Sequence, residues 1–233
     1  MDPSRVTVIL PALDEAEALP AALASFRPGL DLLVVDNGST DATAEVAVAA
    51  GARVVREPRR GFGAACWAGV VASPDAVVVA FADADGSFDG ADLERIAGPV
   101  LRGDADLVVG SRVGGTREPG AMSTLALLEN RLLGLVCRVL FGVALTDLGP
   151  FRAIRRDRLV ALGVRDRGQG WPLEMIGRAG RAGMRVVEVP VRYRRRAGGR
   201  SKVSGSLRGT LSAVLAMTVV AWRLTAERRG RGG

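Results

Sequence analysis

The chain has 233 residues, 48% of them hydrophobic and 24% charged, which is enough for one large domain with a sizeable core and too apolar for extended disorder. Its formal net charge is +7 and it has no histidine, so the commonest general base and the commonest metal-binding nitrogen are both missing, and acid-base or metal chemistry falls to carboxylates. With only Trp 3, Tyr 1 and Phe 6, few rings are available to stack on bases, which argues against nucleic acid as a partner.

Val6 to Leu10 reads as a strand, and Pro11-Ala12-Leu13-Asp14-Glu15 turns into a helix predicted over Glu15 to Phe26. A second strand, Leu32 to Val35, runs into Asp36-Asn37-Gly38-Ser39-Thr40-Asp41, and an alanine-rich helix follows from Ala42 to Ala50. A third, Arg53 to Val55, precedes Arg59-Arg60-Gly61-Phe62-Gly63, a glycine-rich entry into another helix of the kind that attracts phosphate. Ala76 to Phe81 is a continuous apolar run, as expected of a strand buried on both faces, and it ends in Asp83-Ala84-Asp85-Gly86. Two acids one residue apart at a strand end either share a hard divalent cation or form a solvated turn, and these residues alone leave both readings open. Asp89 to Leu101 is predicted as a helix and Asp106 to Gly110 as a fifth strand, followed by Ser111-Arg112. Strands alternating with helices in this way predict a doubly wound, mostly parallel α/β sheet with its ligand crevice at the carboxyl ends of the strands. Asp14, Asp36, Arg60, Asp83 and Asp85 fall on that rim.

Met122 to Phe141 is a long apolar helix interrupted by Glu129, Asn130, Arg131 and Arg138, suited to the core or to a membrane surface. Asp147 follows in Thr146-Asp147-Leu148-Gly149-Pro150, where it reads equally well as a turn cap or a catalytic carboxylate. A helix over Pro172 to Gly183 carries Glu174, which could simply pair with Arg178 four residues on. A strand from Val186 to Tyr193 leads into the basic loop Arg194 to Lys202, whose arginines also suit a solvated strand edge. Lys202 is the only lysine in the chain, a hint that a compact ammonium is wanted there. Ser206 to Glu227 is predicted as one helix, whose apolar part to Trp222 would serve a lipid surface or a second subunit in a homodimer. Cys66 and Cys137 read as reduced core thiols, MDPSRVTVIL does not read as a signal peptide, and no segment reaches the ~20 apolar residues of a membrane span. The expected location is cytoplasmic, with contact to the inner face of the plasma membrane.

In this order, PALDEAE, VVDNGSTD, RRGFGAA, FADADGSFD, GSR, TDLGPFRAI, the glutamate of WPLEM, EVPVRYRRR and GGRSKVSG resemble the family 2 glycosyltransferases of the GT-A fold. The nearest branch is the dolichyl- or polyprenyl-phosphate mannose and glucose synthases, and the resemblance covers residues 5 to 205. It implies a nucleotide-sugar half over residues 1–111, an acceptor half over 112–205, and an interfacial helix and basic tail over 206–233. It further implies Mg²⁺ or Mn²⁺ on Asp83 and Asp85, with Pro11, Asp14 and Asp36 around the base and ribose of the donor. Glu15, Gly38, Arg60, Gly61 and Ala84 complete that donor site. Arg112, Asp147 and Arg152 match the acceptor side, and Arg196, Ser201 and Lys202 match the loop over the phosphates. Asp85 and Arg112 would act as catalytic charges, and Asp147 or Glu174 as the base that a hydroxyl acceptor requires. Asn37, Asp14, Phe62 and Ser87 stand where the family more often has aspartate, asparagine, lysine and glutamine, which leaves the nucleotide base open. The expected activity is metal-dependent, inverting transfer of a hexose from a UDP- or GDP-sugar to polyprenyl phosphate. The alternatives are a soluble hydroxyl acceptor or a non-catalytic nucleotide-binding scaffold on the membrane, while the GGRSKVSG ending argues against a sugar-phosphate nucleotidyltransferase.

Overall fold

The computed structural model of the chain describes residues 2–199 and 207–229. Its strands are β1 (Val6–Ala12), β2 (Asp31–Asp36), β3 (Arg53–Arg56), β4 (Val78–Phe81), β5 (Leu107–Ser111), β6 (Arg152–Arg155) and β7 (Val186–Pro190). Its helices are α1 (Leu19–Ala24), α2 (Thr43–Ala49), α3 (Phe62–Val71), α4 (Leu93–Arg102), α5 (Thr124–Phe141), α6 (Arg156–Leu162), α7 (Trp171–Arg181) and α8 (Leu207–Arg229). One seven-stranded sheet runs in the order β3-β2-β1-β4-β6-β5-β7. It is the mostly parallel, helix-flanked α/β sheet that the sequence led us to expect.

Side chains alternate across that sheet, so each strand feeds two cores. Ile9, Leu33, Val79, Phe81 and Val109 face a layer containing Cys66 of α3, Cys137 of α5, Trp171 of α7 and Leu224 of α8. Val8, Leu10, Val34, Ala80 and Val108 face the opposite layer, with Leu19 of α1 and Ile96 of α4. Cys66 and Cys137 are free and buried, as expected of core thiols, and burial pushes the Cys137 thiol up to about 12.

Several boundaries differ from the sequence reading, each for a local reason. α1 begins only at Leu19, because the preceding residues are drawn toward the start of α2: the Asp14 backbone is left-handed (φ 49°) and the Glu15 N–H donates to Thr43 Oγ1. α4 begins at Leu93 after a 3₁₀ turn over Gly90–Asp92, which Asp89 caps through the Ala91 N–H. β7 stops at Pro190, which has no N–H for the ladder, although Tyr193 still makes isolated bridges to Phe88 and Arg117. β6 and α6 were not foreseen. β6 is antiparallel to both β4 and β5, and its register sets Arg152 opposite Phe81, two residues before Asp83.

Candidate active site

A cleft of about 400 Å³ opens at the carboxyl ends of the central strands. Among its lining residues are Pro11, Glu15, Gly61, Asp83, Ala84, Asp85, Arg112 and Arg196, all foreseen from sequence. β4 ends at Phe81 and delivers Asp83 and Asp85 directly into it. Burial, and then the neighbouring Asp85 charge, push Asp83 up to about 7, against the pull of Arg112, Arg152 and Arg196. Two close carboxylates in this state are short of positive charge, and an all-oxygen donor pair is the kind that a hard divalent ion prefers. Among the described residues, no three acidic or thiol side chains are placed so that together they could hold a metal ion. A cation held here would therefore have two protein carboxylates and positions left for a ligand's phosphates. The residues fit that role.

Arg196 reaches across the pair. Its Nη1 donates to Asp85 Oδ2 at 3.2 Å and its Nη2 pairs with Glu15. The loop carrying it is bound to the DxD turn through the backbone, since the Ala197 N–H donates to the Asp85 carbonyl at 2.9 Å and the Arg194 N–H to the Ser87 carbonyl at 2.8 Å. The preceding arginines are tied as well, Arg192 to Asp89 and Asp92, and Arg195 Nε to the Pro119 carbonyl. The run is thus bound along the rim rather than being a bare solvated strand edge. Ser201 and Lys202 lie outside the described residues.

Opposite this loop, Arg112 is held by a carboxylate that does not reach the cleft. Asp147 is fully buried and accepts three bonds from Arg112: the backbone N–H and Nε at 2.8 Å on Oδ2, and Nη2 at 2.7 Å on Oδ1. Burial alone would lower the guanidinium pKa, but these bonds and the Asp147 charge raise it above its ordinary value. Arg112 also lies 5.3 Å from the centre of the Tyr193 ring, which fixes its second face. The loop bearing Asp147 is pinned from several sides. Glu188 accepts from the Thr146 and Asp147 N–H groups, Ser111 bonds the Thr146 hydroxyl, and Asn130 accepts from the Leu148 N–H.

Like Asp147, two further expected site residues, Arg152 and Glu174, are buried away from the cleft. Arg152 is 1% exposed and does not line the cleft; its guanidinium donates to the carbonyls of Leu148, Gly149 and Pro172, and burial lowers it to about 10. Its place in β6, beneath the DxD turn, makes it an internal cation instead of a direct contact for a phosphate. Glu174 is likewise fully buried away from the cleft. It pairs with Arg178 at 2.7 Å and with Arg223 of α8 at 2.7 Å, and accepts from the N–H groups of Arg165 and Asp166. Burial would raise its pKa, yet the Asp166 N–H, Arg178, the Arg165 N–H and Arg223 together lower it below the ordinary 4.5. A carboxylate so engaged is a structural tie, and the reading of Glu174 as a base is corrected.

Asp14, Asp36, Gly38 and Arg60 gather beside the cleft rather than in its lining. Asp14 Oδ1 accepts from the Thr40 N–H at 2.7 Å, Asp36 Oδ1 accepts from the Ser39 N–H at 2.9 Å, and Arg60 Nη2 donates to the Gly38 carbonyl at 2.9 Å. Asp36 and Gly38 line an adjoining hollow with Arg56 and Glu57. Asn37, Gln169 and Tyr193 also line the cleft, although none is among the site residues expected from sequence. Asn37 connects two segments: its Nδ2 donates to the carbonyls of Glu57 and Arg59, and its Oδ1 accepts from the Gly61 N–H. Tyr193 carried one usable signal, as the single tyrosine at the end of a strand.

Similarity to known proteins agrees with this geometry. The chain matches the Glycosyl transferase family 2 profile over residues 7–162. It is 48% identical over 212 residues to an uncharacterized glycosyltransferase of Mycobacterium tuberculosis, covering 90% of this chain and 94% of that protein. It is 34% identical over 247 residues to an undecaprenyl-phosphate mannosyltransferase of Micrococcus luteus, covering 97% of each. A structure of glucosyl-3-phosphoglycerate synthase from Mycobacterium tuberculosis with Mn²⁺, UDP and glucosyl-3-phosphoglycerate superposes with a TM-score of 0.72 at 25% identity, over 93% of this chain and 79% of that one. On its matched length, its sheet and its relatives, the chain belongs to glycosyl transferase family 2 and is a glycosyltransferase of the GT-A fold.

Proposed function

We propose that the chain transfers a hexose, mannose or glucose, from a GDP- or UDP-sugar to polyprenyl phosphate, with inversion at the anomeric carbon. The observation carrying this reading is that Arg112 faces the cleft while the acids that could serve a hydroxyl acceptor are taken up elsewhere: Asp147 by Arg112, and Glu174 by Arg178 and Arg223. A hydroxyl nucleophile must lose a proton, whereas a phosphate monoester is already an anion at neutral pH and needs a cation to receive it. Arg112 suits that task, because Asp147 and Tyr193 hold it in place. The mannosyltransferase relative supports the lipid phosphate, and the Mn²⁺ and UDP complex of the structural relative supports a metal-dependent donor site.

A Mg²⁺ or Mn²⁺ ion on Asp83 and Asp85 would neutralise the charge that builds on the donor diphosphate as its bond to the sugar breaks. Arg196 leaves Asp85 and Glu15 to meet the donor phosphates, and Pro11 and Glu15 border the nucleoside. The acceptor phosphate oxygen bonds to the anomeric carbon from the face opposite the departing nucleoside diphosphate. No proton changes hands in that step. The decisive assay is transfer of radiolabelled hexose from UDP-glucose and GDP-mannose to undecaprenyl phosphate with Mn²⁺ or Mg²⁺, read in the organic phase. Asp85→Ala should lower it by about 10²-fold or more. Absence of transfer from every common donor would sink the proposal. Label found only in water-soluble product would favour a small hydroxyl acceptor.

A further inference from the structure

α5 buries one face and leaves the opposite one bare. Asn130, Gly134, Cys137 and Phe141 point into the core, while Leu125, Leu128, Leu132, Leu135 and Val139, spaced by three and four residues, form an outward seam between 49% and 70% exposed. Residues at that spacing share one stripe of a helix. α8 behaves in the same way. Val220 and Leu224 are buried, whereas Leu215, Val219 and Trp222 are 58–71% exposed. The two seams adjoin, because an apolar gap of about 270 Å³ between the helices is lined by Leu132, Leu133, Val136 and Leu140 on one side and Met217 and Ala221 on the other. The outward surface is therefore continuous across two helices, and single scattered leucines do not account for it.

Charge identifies the occupant. Arg131 and Arg138 are exposed along one flank of the α5 seam, and Arg117 and Arg195 are exposed around the loop that leads into the helix. Glu129 is the one acid of α5, and its Oε1 is buried without a hydrogen-bond partner on the side of the gap. A second copy of this face would set arginine against arginine with no acid on α5 to answer it. An apolar stripe edged by arginines, with an exposed tryptophan beside it, instead matches the headgroup region of an anionic bilayer. The position relative to the cleft agrees: Ala121, three residues before α5, is part of the cleft lining. A bilayer lying against α5 would thus reach the same opening from which the cleft is entered.

We infer that the joint α5–α8 face is a docking surface for an anionic phospholipid bilayer, with Leu128, Leu132, Leu135, Val139 and Trp222 entering the interface and Arg131 and Arg138 meeting lipid phosphates. This surface goes beyond the transfer reaction and is tested without donor or acceptor. The full chain is floated with vesicles of phosphatidylcholine alone or with phosphatidylglycerol added, and its mass in solution is measured by light scattering. The chain should float with phosphatidylglycerol vesicles and stay behind with pure phosphatidylcholine. Leu128→Ser/Leu135→Ser should weaken partitioning by about tenfold or more, and Arg131→Gln/Arg138→Gln by about tenfold, with most binding lost in high salt. All four positions are exposed, so melting temperatures should stay close to that of the parent, which separates lost docking from lost folding. Failure to float on anionic vesicles, or undiminished floating of the leucine variant, overturns the inference. So does a dimer in solution that the leucine variant converts to monomer, which would make a second copy the occupant.

Discussion

Asp147 gives both carboxylate oxygens and all its burial to Arg112, so a residue with the right chemistry to take a proton instead holds a guanidinium steady. Removing one charge of such a pair strands the other, at a cost of about 3–5 kcal/mol when both are buried. Arg112 keeps a partly open edge on the cleft, so Asp147→Asn is expected to cost about 2–3 kcal/mol by denaturant melt. The same variant should lower kcat/KM for the acceptor by about 10²-fold through loss of orientation. Glu174 predicts a different pattern. Its pKa is lower in the folded chain than the ordinary 4.5, so its stabilising contribution is fully present above that value and is lost as pH falls through the depressed folded value. Glu174→Gln should therefore melt well below the parent at neutral pH, by about 2–4 kcal/mol, and the gap should narrow as pH drops below about 4. Its kcat at a temperature where the variant is folded should be close to that of the parent, an outcome that a catalytic base would not give.

Among the elements, the turn from β3 into α3 is tightly constrained by backbone geometry. Gly61 has φ 143°, and a Cβ there would lie 2.2 Å from the Arg167 carbonyl oxygen. That carbonyl also accepts the Ala64 N–H at 2.9 Å, so it cannot simply move aside. Gly61→Ala is expected to destabilise by about 1–3 kcal/mol and, since Gly61 lines the cleft, to weaken donor binding measurably by calorimetry. The glycine and its phosphate-turn context were legible in the sequence, whereas the loop that presses on it, about a hundred residues later, was not. β6 shows the same limit in another form. Arg152-Ala153-Ile154-Arg155 has neither an apolar run nor a clean alternation, and it becomes a strand because β4 and β5 offer edges on both sides. Local propensity carries no record of such an offer.

For the whole molecule, α8 decides how the layer of helices containing α7 is closed. Leu224 is buried, and a Cβ on Gly177 of α7 would come within 2.7 Å of its Cδ1, so the two helices meet at a residue without a side chain. Leu224→Ala should cost about 2–4 kcal/mol, read as a lowered melting midpoint. By this packing one face of α8 belongs to the core, while the other contributes to the lipid-facing surface proposed above. Among the described residues no helix is long and apolar enough to cross a membrane. By itself the sequence determined the alternation of strands and helices, the DxD pair at the end of β4, the glycine-rich turn and the membership of a family, because each is written in neighbouring residues by period, turn chemistry or motif. Only the tertiary structure decided which acids are sequestered and which face the cleft. Asp147, Glu174 and Arg152 each have a partner 20 to 49 residues away, and while the Glu174–Arg178 pair was legible at its spacing of four, burial with a distant partner leaves no mark on the local pattern.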